Sequence, residues 1–195
     1  DIRYPIYKQQ VMLTHGDPDH IGGAPALAAD FAPARVWEGI PVARHAGLSA
    51  VLAQAQARGA RIERRLAGDG MHVGGVRVRV LHPPAPDWER RRVRNDDSVV
   101  LELVYGDVAV LLPGDIGASV ENTLLDQLTP ARVRVLKAAH HGSRTSTSHE
   151  LLARWRPQIA IISAGRGNTF GHPAPEVLQR LASVGAALYR TDRDG

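Results

Sequence analysis

Four side chains of types that commonly bind metals lie close together near the start of the sequence. They fall within six consecutive positions, directly after an apolar run: His15, Asp17, Asp19 and His20. Carboxylates and imidazoles at this density repel one another or compete for protons, and a bound cation is the simplest way to make all of them favourable. The apolar run predicts a buried strand and the residues after Gly23 predict a helix. We therefore predict a divalent-cation site where this strand gives way to a helix.

Ligands of the same types follow two later strand patterns. Asp115 comes after the apolar residues of 108–112, and His140 and His141 end the strand predicted over 132–139. Because a sheet can bring distant strand ends to one edge, we expect these residues to join the first cluster. Imidazole and carboxylate without thiolate suit a catalytic Zn²⁺ or Mn²⁺, and an aspartate can bridge two ions. Two such ions lower the pKa of water and hold both an attacking and a leaving oxygen, so the predicted chemistry is hydrolysis.

The elements that must position these ligands alternate along the chain. Strands are predicted over residues 10–14, 35–38, 61–66, 71–73, 76–81, 98–105, 108–112, 132–139, 158–163 and 187–189. Helices are predicted over residues 22–31, 41–58, 118–128, 148–155 and 174–184. Hairpins followed by alternating helix and strand indicate an α/β (α+β) fold in which helices cover sheets, as one domain over residues 1–195. Three isolated histidines are expected to be surface or packing residues: His45, His72 and His82.

The composition is that of an ordinary globular domain. Apolar residues make up 44% of the chain, and no stretch approaches the ~20 apolar residues of a membrane helix. The absence of cysteine excludes disulfides, thiolate nucleophiles and cysteine zinc sites. A net charge of +4 suits either a polyanionic partner or a coding bias toward arginine. Because the chain opens at Asp1 rather than at methionine, we expect it to be a fragment of a longer protein.

The segment 83–94 combines one tryptophan with several arginines. These residues are Trp88, Arg90, Arg91, Arg92 and Arg94. Basic residues beside an exposed aromatic ring suit a nucleic-acid strand, through phosphate contacts and base stacking. A solvated loop that Trp88 anchors to the domain explains the same residues, so both interpretations stay open.

Several sequence segments resemble a known family. Residues 15–20 resemble the His-x-His-x-Asp-His signature of the metallo-β-lactamase superfamily, with Asp17 where the second histidine usually stands. Five further segments resemble, in the same order, blocks of the C-terminal domain of ComEC-type competence proteins: 95–101, 111–117, 136–143, 170–173 and 190–192. One block alone could arise by chance, whereas five in order are specific.

The resemblance implies an αββα sandwich that holds a dinuclear site. Fourteen residues precede His15, whereas the superfamily begins with further strands, so we expect a sandwich that lacks its N-terminal strands. In the family this domain is fused to a membrane channel that imports single-stranded DNA during natural transformation. This implies a bacterial membrane protein whose soluble domain lies outside the cytoplasm. The implied activity is a metal-dependent nuclease, without an organic cofactor, that degrades the DNA strand that does not enter the cell.

The resemblance also distributes the ligands between two ions. It implies that His15 and Asp17 hold one ion, and that Asp19 and His20 hold the other. Asp115 matches the carboxylate that bridges them. Because the carboxylate of Asp17 is a harder ligand than imidazole, we expect Mn²⁺ to be preferred over Zn²⁺.

The last ligand of the implied set is His140 or His141. The spacing leaves the choice open, and we favour His141. Members of the superfamily often carry a further histidine between the first cluster and the bridging aspartate, but residues 95–98 offer none here. We therefore expect an incomplete shell around the second ion.

Further residues are predicted to act on the substrate. Those expected to bind it are Asn95, Ser98, Ser143, Arg144, Thr145 and Ser146. The last four suit a loop that grips phosphate, although a polar turn that caps the next helix explains them equally. Asp19 would orient the attacking water, and His172 would either donate a proton to the leaving group or support a ligand. Two other functions stay open: a small-molecule hydrolase such as a lactonase or phosphodiesterase, and a non-catalytic module that binds or gates DNA.

Overall fold

The computed structural model describes residues 10–194 and contains two β-sheets. The smaller sheet is parallel and has the order β1-β2-β3. Its strands are β1 (Gln10–Leu13), β2 (Arg35–Glu38) and β3 (Arg61–Arg64). Helices connect these strands, as parallel pairing requires. They are α1 (Pro18–Ile21), α2 (Ala24–Phe31) and α3 (Ala46–Ala57).

The larger sheet has seven strands in the order β10-β9-β8-β7-β6-β5-β4. Its strands are β4 (Gly70–Val73), β5 (Val76–His82), β6 (Val100–Tyr105), β7 (Val108–Leu112), β8 (Val133–Lys137), β9 (Ile159–Ile162) and β10 (Ala187–Arg190). Strands β4 to β7 pair antiparallel, with hairpins joining β4 to β5 and β6 to β7, and β7 to β10 pair parallel. The parallel half is connected by α4 (Ala118–Leu124), α5 (His149–Trp155) and α6 (Pro175–Ser183), and the short α7 (Thr191–Asp194) follows β10.

Three apolar clusters show how these elements are layered. One cluster packs α2 and α3 on the small sheet, for example through Ala28 and Val51. Another packs α4, α5 and α6 on the large sheet, with Leu152 and Leu181 fully buried. The third lies between the sheets, where Trp37 of β2 meets β5 and β6. The result is an αββα arrangement, and the predicted fold class is confirmed. The layers leave the C-terminal ends of β1, β7 and β8 at one edge.

Most predicted elements are present with altered ends. Helix α3 begins at Ala46 rather than Pro41, because His45 caps it: its Nδ1 accepts a hydrogen bond from the Leu48 amide at 3.0 Å. The helix predicted over 22–31 begins only at Ala24, and the sequence did not predict the short α1 that carries Asp19 and His20. Within residues 10–194, no helix is long and apolar enough to cross a membrane.

Two predictions concern the ends of the chain. The single domain was predicted over residues 1–195, and the missing N-terminal strands would precede β1. Residues 1–9 and 195 lie outside the described part of the chain, so both stay predictions.

Candidate metal centre

Four predicted ligands converge at the edge formed by β1, β7 and β8. They are Asp19, His20, Asp115 and His141, and one ligand atom from each lies within 4.8 Å of all the others. The four come from three separate strand ends: α1 follows β1, while Asp115 follows β7 and His141 follows β8. The sheet edge thus assembles the residues that the sequence keeps more than a hundred positions apart.

Short contacts join the four side chains. His20 Nε2 lies 3.1 Å from both Asp115 Oδ2 and His141 Nε2. His141 Nε2 lies 3.2 Å from Asp19 Oδ2 and 3.4 Å from Asp115 Oδ2. Two imidazole nitrogens that face each other at this distance need a shared proton or a shared cation between them. Two nitrogens and two carboxylates are a suitable donor set for a divalent transition metal.

The opposite ring nitrogens are held by other groups. His141 Nδ1 lies 2.7 Å from the Ser163 carbonyl, to which it must donate its proton, and His20 Nδ1 lies 2.8 Å from Thr14 Oγ1. Because Nδ1 of His141 carries the proton that it donates to this carbonyl, Nε2 has a lone pair that can bind a metal. Among the described residues, the buried Asp115 Oδ1 has no hydrogen-bond partner. A free carboxylate oxygen beside aligned imidazoles fits a bound cation.

The electrostatics of the cluster follow from the same contacts. Burial alone would raise the pKa of Asp115, but hydrogen bonds with His141 and His20 hold that pKa well below its usual range. The hydrogen bond with Asp115 raises the pKa of His141, although burial opposes it. A proton and a cation therefore compete for Nε2 of His141, and metal binding releases a proton.

Asp115 is also fixed through its backbone. Its amide donates a 3.1 Å hydrogen bond to Ser98 Oγ, which lies 3.2 Å from His15 Nδ1. Gly114 makes room for this contact, since a Cβ there would lie 2.7 Å from the Ser98 Cβ. Ser98 is 0% exposed. The Ser98 hydroxyl is therefore enclosed between two site residues, and its contact with substrate stays a prediction.

His15 and Asp17 form a pair beside the four-residue cluster. His15 Nε2 lies 3.2 Å from Asp17 Oδ2, and the His15 ring centroid is 4.1 Å from that of His20. Burial lowers the pKa of His15, and the neighbouring His20 lowers it further. Asp17 occupies the N-cap of α1 but makes no capping hydrogen bond there, so its carboxylate remains directed at the imidazole.

The sequence left the choice between His140 and His141 open, and the structure places them differently. His141 belongs to the cluster, whereas His140 Nε2 is 3.9 Å from Asp115 Oδ2. Both residues have left-handed backbone, with φ of 48° and 53°, and Gly142 follows at 83°. Such conformations cost non-glycine residues of order 1–3 kcal/mol and persist where the surroundings enforce them. The turn directs two consecutive imidazoles at the same carboxylate.

A buried glutamate that the sequence did not single out supports this turn. Glu121 of α4 is buried and accepts hydrogen bonds from the amides of Thr147 and Ser148, at 2.6 and 2.8 Å. Thr147 Oγ1 in turn accepts a 3.1 Å hydrogen bond from the Ala139 amide, directly before His140. The burial of this helical carboxylate is the signal of its supporting role, because fully buried carboxylates are rarely left unpaired.

Lys137 is a second residue that the prediction missed. It ends β8, and its largely buried Nζ lies 3.8 Å from Asp115 Oδ1. Burial lowers the pKa of Lys137, and Asp115 opposes that shift. The ammonium supplies positive charge to the carboxylate from the side opposite the imidazoles.

The predicted phosphate loop is divided between buried and exposed residues. Arg144 and Thr145 are exposed, whereas Ser143 and Ser146 are buried. Ser143 Oγ lies 3.1 Å from Thr145 Oγ1, and Ser148, rather than any of these four, caps α5. Ser143 is 7% exposed and Ser146 is 0% exposed, so their contact with substrate stays a prediction.

His172 lies at the rim of the site. Its ring centroid is 5.6 Å from that of His140, and Phe170 stacks on its other side at 6.2 Å. The Asn168 side chain holds the backbone of His172 through two hydrogen bonds, at 2.6 and 3.1 Å. Burial lowers the pKa of His172, and the adjacent His140 lowers it further.

A cleft of about 610 Å³ opens at the metal centre. Its lining includes Asp115, His140, Thr145, Asn95, Arg92 and Arg94. Asn95 Nδ2 lies 3.5 Å from His140 Nδ1. His82 supports this segment through a 2.7 Å contact between its Nε2 and the Asp96 carbonyl. Within the adjoining loop, Trp88 is 67% exposed, so it does not anchor that loop in the core.

Comparisons with known proteins agree with this geometry. Residues 9–166 match the family described as the metallo-beta-lactamase superfamily. The ComE operon protein 3 of Bacillus subtilis is 34% identical over 95% of this chain, and Recombination protein 2 of Haemophilus influenzae is 31% identical over 99%. The chain spans about a quarter of the length of these relatives, 24% and 22% respectively.

A third relative and a solved structure extend the comparison. The competence protein ComA of Neisseria gonorrhoeae is 31% identical over 95% of this chain and 24% of its own length. The diiron β-hydroxylase CmlA of Streptomyces venezuelae superimposes with a TM-score of 0.61 at 14% identity, over 93% of this chain and 43% of CmlA, and so shares the fold. The matched sequence, the αββα layers and the ligands at the sheet edge together show that the chain belongs to the metallo-beta-lactamase superfamily.

Proposed function

We propose that this domain hydrolyses phosphodiester bonds of DNA with the help of two divalent cations. Superfamily membership implies a metal-dependent hydrolase. The observation that carries the choice of substrate is the position of the centre: Asp115 and His140 line the same cleft as Arg92 and Arg94. Guanidinium groups bind phosphate in two-pronged geometry, so a cleft with arginine on one side and a cation site on the other suits a polyanion.

The residues that would hold the ions are those that converge at the sheet edge. One ion would be held by His15 and Asp17 and the other by Asp19 and His20, with Asp115 shared, His141 completing the set and His140 beside it. When bound, such ions act as Lewis acids, make water a competent nucleophile near neutral pH and stabilise charge on the leaving oxygen. Asp115 is well suited to be shared because Oδ2 faces the imidazoles while Oδ1 has no hydrogen-bond partner among the described residues.

The other residues have roles that follow from their positions. Asp19 is exposed beside His141 and would orient the attacking water. Arg144, Thr145 and Asn95 would contact the phosphate backbone, whereas the enclosed hydroxyl of Ser98 would hold His15 and Asp115 together. His172 would pass a proton to the leaving oxygen. Since burial lowers its pKa, the protonated fraction of His172, and with it this contribution, should decline as the pH rises.

We propose that Mn²⁺ is preferred over Zn²⁺. The set contains Asp17, Asp19 and Asp115, and a greater share of carboxylate favours a harder cation than an all-imidazole site does. Replacing Asp17 by histidine would restore the softer donor set of the superfamily signature.

The biological setting follows from the relatives. One of them is named a competence protein and another a recombination protein. We propose that the full-length protein is a membrane protein that takes up DNA, with a channel portion beside this domain. The domain would lie outside the cytoplasm and degrade the strand that is not imported.

The function is tested by incubating the protein with labelled single- and double-stranded DNA and Mn²⁺. We expect cleavage that EDTA stops and that Asp19→Ala and His20→Ala each abolish. His72→Ala, on the edge strand β4, and the exposed Asp126→Ala serve as matched controls and should cut DNA normally. Cleavage that persists in both site variants would refute the proposal. Turnover of lactones or small phosphodiesters without cleavage of DNA would indicate a small-molecule hydrolase, and salt-sensitive DNA binding without any turnover would indicate a binding module.

A further inference from the structure

Two of the most exposed aromatic side chains are each linked to the candidate metal centre through neighbouring residues. Trp88 is 67% exposed and Phe170 is 79% exposed. Large aromatic rings at the surface forgo the stabilisation that burial would give. Two such rings beside a candidate catalytic site therefore call for a functional explanation. Neither ring takes part in the chemistry proposed above.

Phe170 is linked to the centre by a row of rings. Its ring is nearly parallel to that of His172, with an interplanar angle of 23°. His172 in turn meets His140 edge to face, at an interplanar angle of 75°. Phe170 therefore ends this row with one broad face toward His172 and most of its surface open to solvent.

Trp88 is linked to the centre by arginines. The guanidinium of Arg90 lies 5.7 Å from the Trp88 ring, and two hydrogen bonds of 2.8 and 3.1 Å fix Arg90 to Asp97. A cleft of about 520 Å³ beside Trp88 is lined by Arg92 and Arg94, which also line the cleft at the metal centre. Arg92 and Arg94 thus belong both to the cleft beside Trp88 and to the cleft beside the candidate metal ligands.

We infer that this surface binds an unpaired DNA strand across the centre, with bases stacked on Trp88 on one side and on Phe170 on the other. The inference rests on the proposed function. Bases in a duplex already stack on one another and cannot cover an isolated ring, whereas the bases of a single strand can. The guanidinium groups between the rings would contact the phosphates along the strand. Because every base offers a π-face, this binding would be independent of sequence.

The inference is tested by binding rather than by cleavage. Fluorescence anisotropy at fixed salt, with Ca²⁺ as the added cation, compares oligothymidylate with an abasic strand of the same length and phosphate number. Trp88→Ala and Phe170→Ala should each weaken binding of oligothymidylate by roughly 5- to 150-fold, the range for loss of one base–aromatic contact, and should leave the abasic strand little changed. Trp88→Phe and Phe170→Tyr keep a ring and should retain most of the affinity.

Tyr105→Ala supplies the matched control. Tyr105 is 62% exposed but lies at the β6–β7 turn, at the opposite end of β7 from Asp115. Its loss should leave both affinities unchanged. Equal losses for oligothymidylate and the abasic strand, no loss in either alanine variant, or equal binding of blunt duplex would overturn the inference. Because no cleavage is measured, an absence of nuclease activity would contradict the proposed function without bearing on this test.

Discussion

The two halves of the metal centre are built differently. The half that follows the large sheet is held by buried contacts: the Asp115 side chain is 4% exposed, and the turn of His141 is braced by Glu121 through Thr147. The half that follows the small sheet has buried imidazoles, with the His15 and His20 side chains 3% and 11% exposed, but its carboxylates are open, at 40% for Asp17 and 60% for Asp19. The fold therefore positions the carboxylate of the first half in advance, whereas the carboxylates of the second half depend more on the ions themselves. Changes at Asp115 should therefore affect both stability and activity, and changes at Asp17 or Asp19 mainly metal binding.

The largest effects on DNA cleavage are expected from Asp115→Ala and Asp19→Ala, and these two variants compare the two halves. Both should reduce DNA cleavage by about 10³-fold or more, since each removes a ligand whose ion contributes several kcal/mol of transition-state stabilisation. Asp115→Ala alone should also lower the urea midpoint, because it leaves Lys137 and His141 without their shared carboxylate. Equal stability of the two variants in EDTA would show that the halves do not differ in this way.

Glu121→Ala should produce the next largest effect. It removes a buried acceptor from two backbone amides, and the expected loss in the free energy of unfolding is about 3 kcal/mol. Glu121→Gln keeps one acceptor oxygen and should lose less. The exposed Glu150 provides the control, since Glu150→Ala should change the urea midpoint little. If Glu121→Ala has the same urea midpoint as the parent protein, the hydrogen bonds of Glu121 behind the His141 turn do not contribute to stability.

Asp17→His is expected to change the identity of the metal more than the stability of the fold. The softer ligand set should shift the ratio of Zn²⁺ to Mn²⁺ affinity toward zinc by about tenfold, as competition titrations would show. The midpoint of unfolding in EDTA should stay close to that of the parent protein, because Asp17 makes no capping bond in α1. An unchanged affinity ratio would mean that position 17 does not set the metal preference.

The smallest effect is expected from His82→Gln on the pH dependence of stability. Burial lowers the pKa of His82 below its value in the unfolded chain, so the unfolded state takes up the proton first. Its contribution to stability is full above the unfolded pKa of about 6.5 and is lost as the pH falls below that value. Glutamine can still donate to the Asp96 carbonyl but does not titrate, so stability should fall less steeply between pH 7 and pH 5 in EDTA. Identical slopes for both proteins would contradict this.

The sequence was sufficient to predict the residues that converge at the sheet edge, because their chemistry is local. The spacing of residues 15–20, and single acidic or imidazole residues after apolar runs, predict a cation site without knowledge of the fold. The choice between His140 and His141 could not be made in this way. It depends on the left-handed backbone at both residues and on the close approach of Pro173 to Gly142, where a Cβ would lie 2.7 Å from the Pro173 Cβ.

Supporting residues were harder to predict, because their partners are distant in sequence. Ser98 was expected at the substrate, but its hydrogen bond from the Asp115 amide was not predicted, and Glu121 and Lys137 were not considered. Nothing in the local pattern of a serine or a lysine tells which buried group it will meet. Helix α1 was also missed, since four residues are too few for a periodic signal.

The most direct test of the metal centre is a calorimetric titration of EDTA-treated protein with Mn²⁺. The proposed function predicts two ions per chain in the parent protein, with protons released as they bind. It also predicts that Asp115→Ala loses high-affinity binding of both ions, because their shared ligand is gone. No binding by the parent protein, or undiminished binding of two ions by Asp115→Ala, would contradict the account.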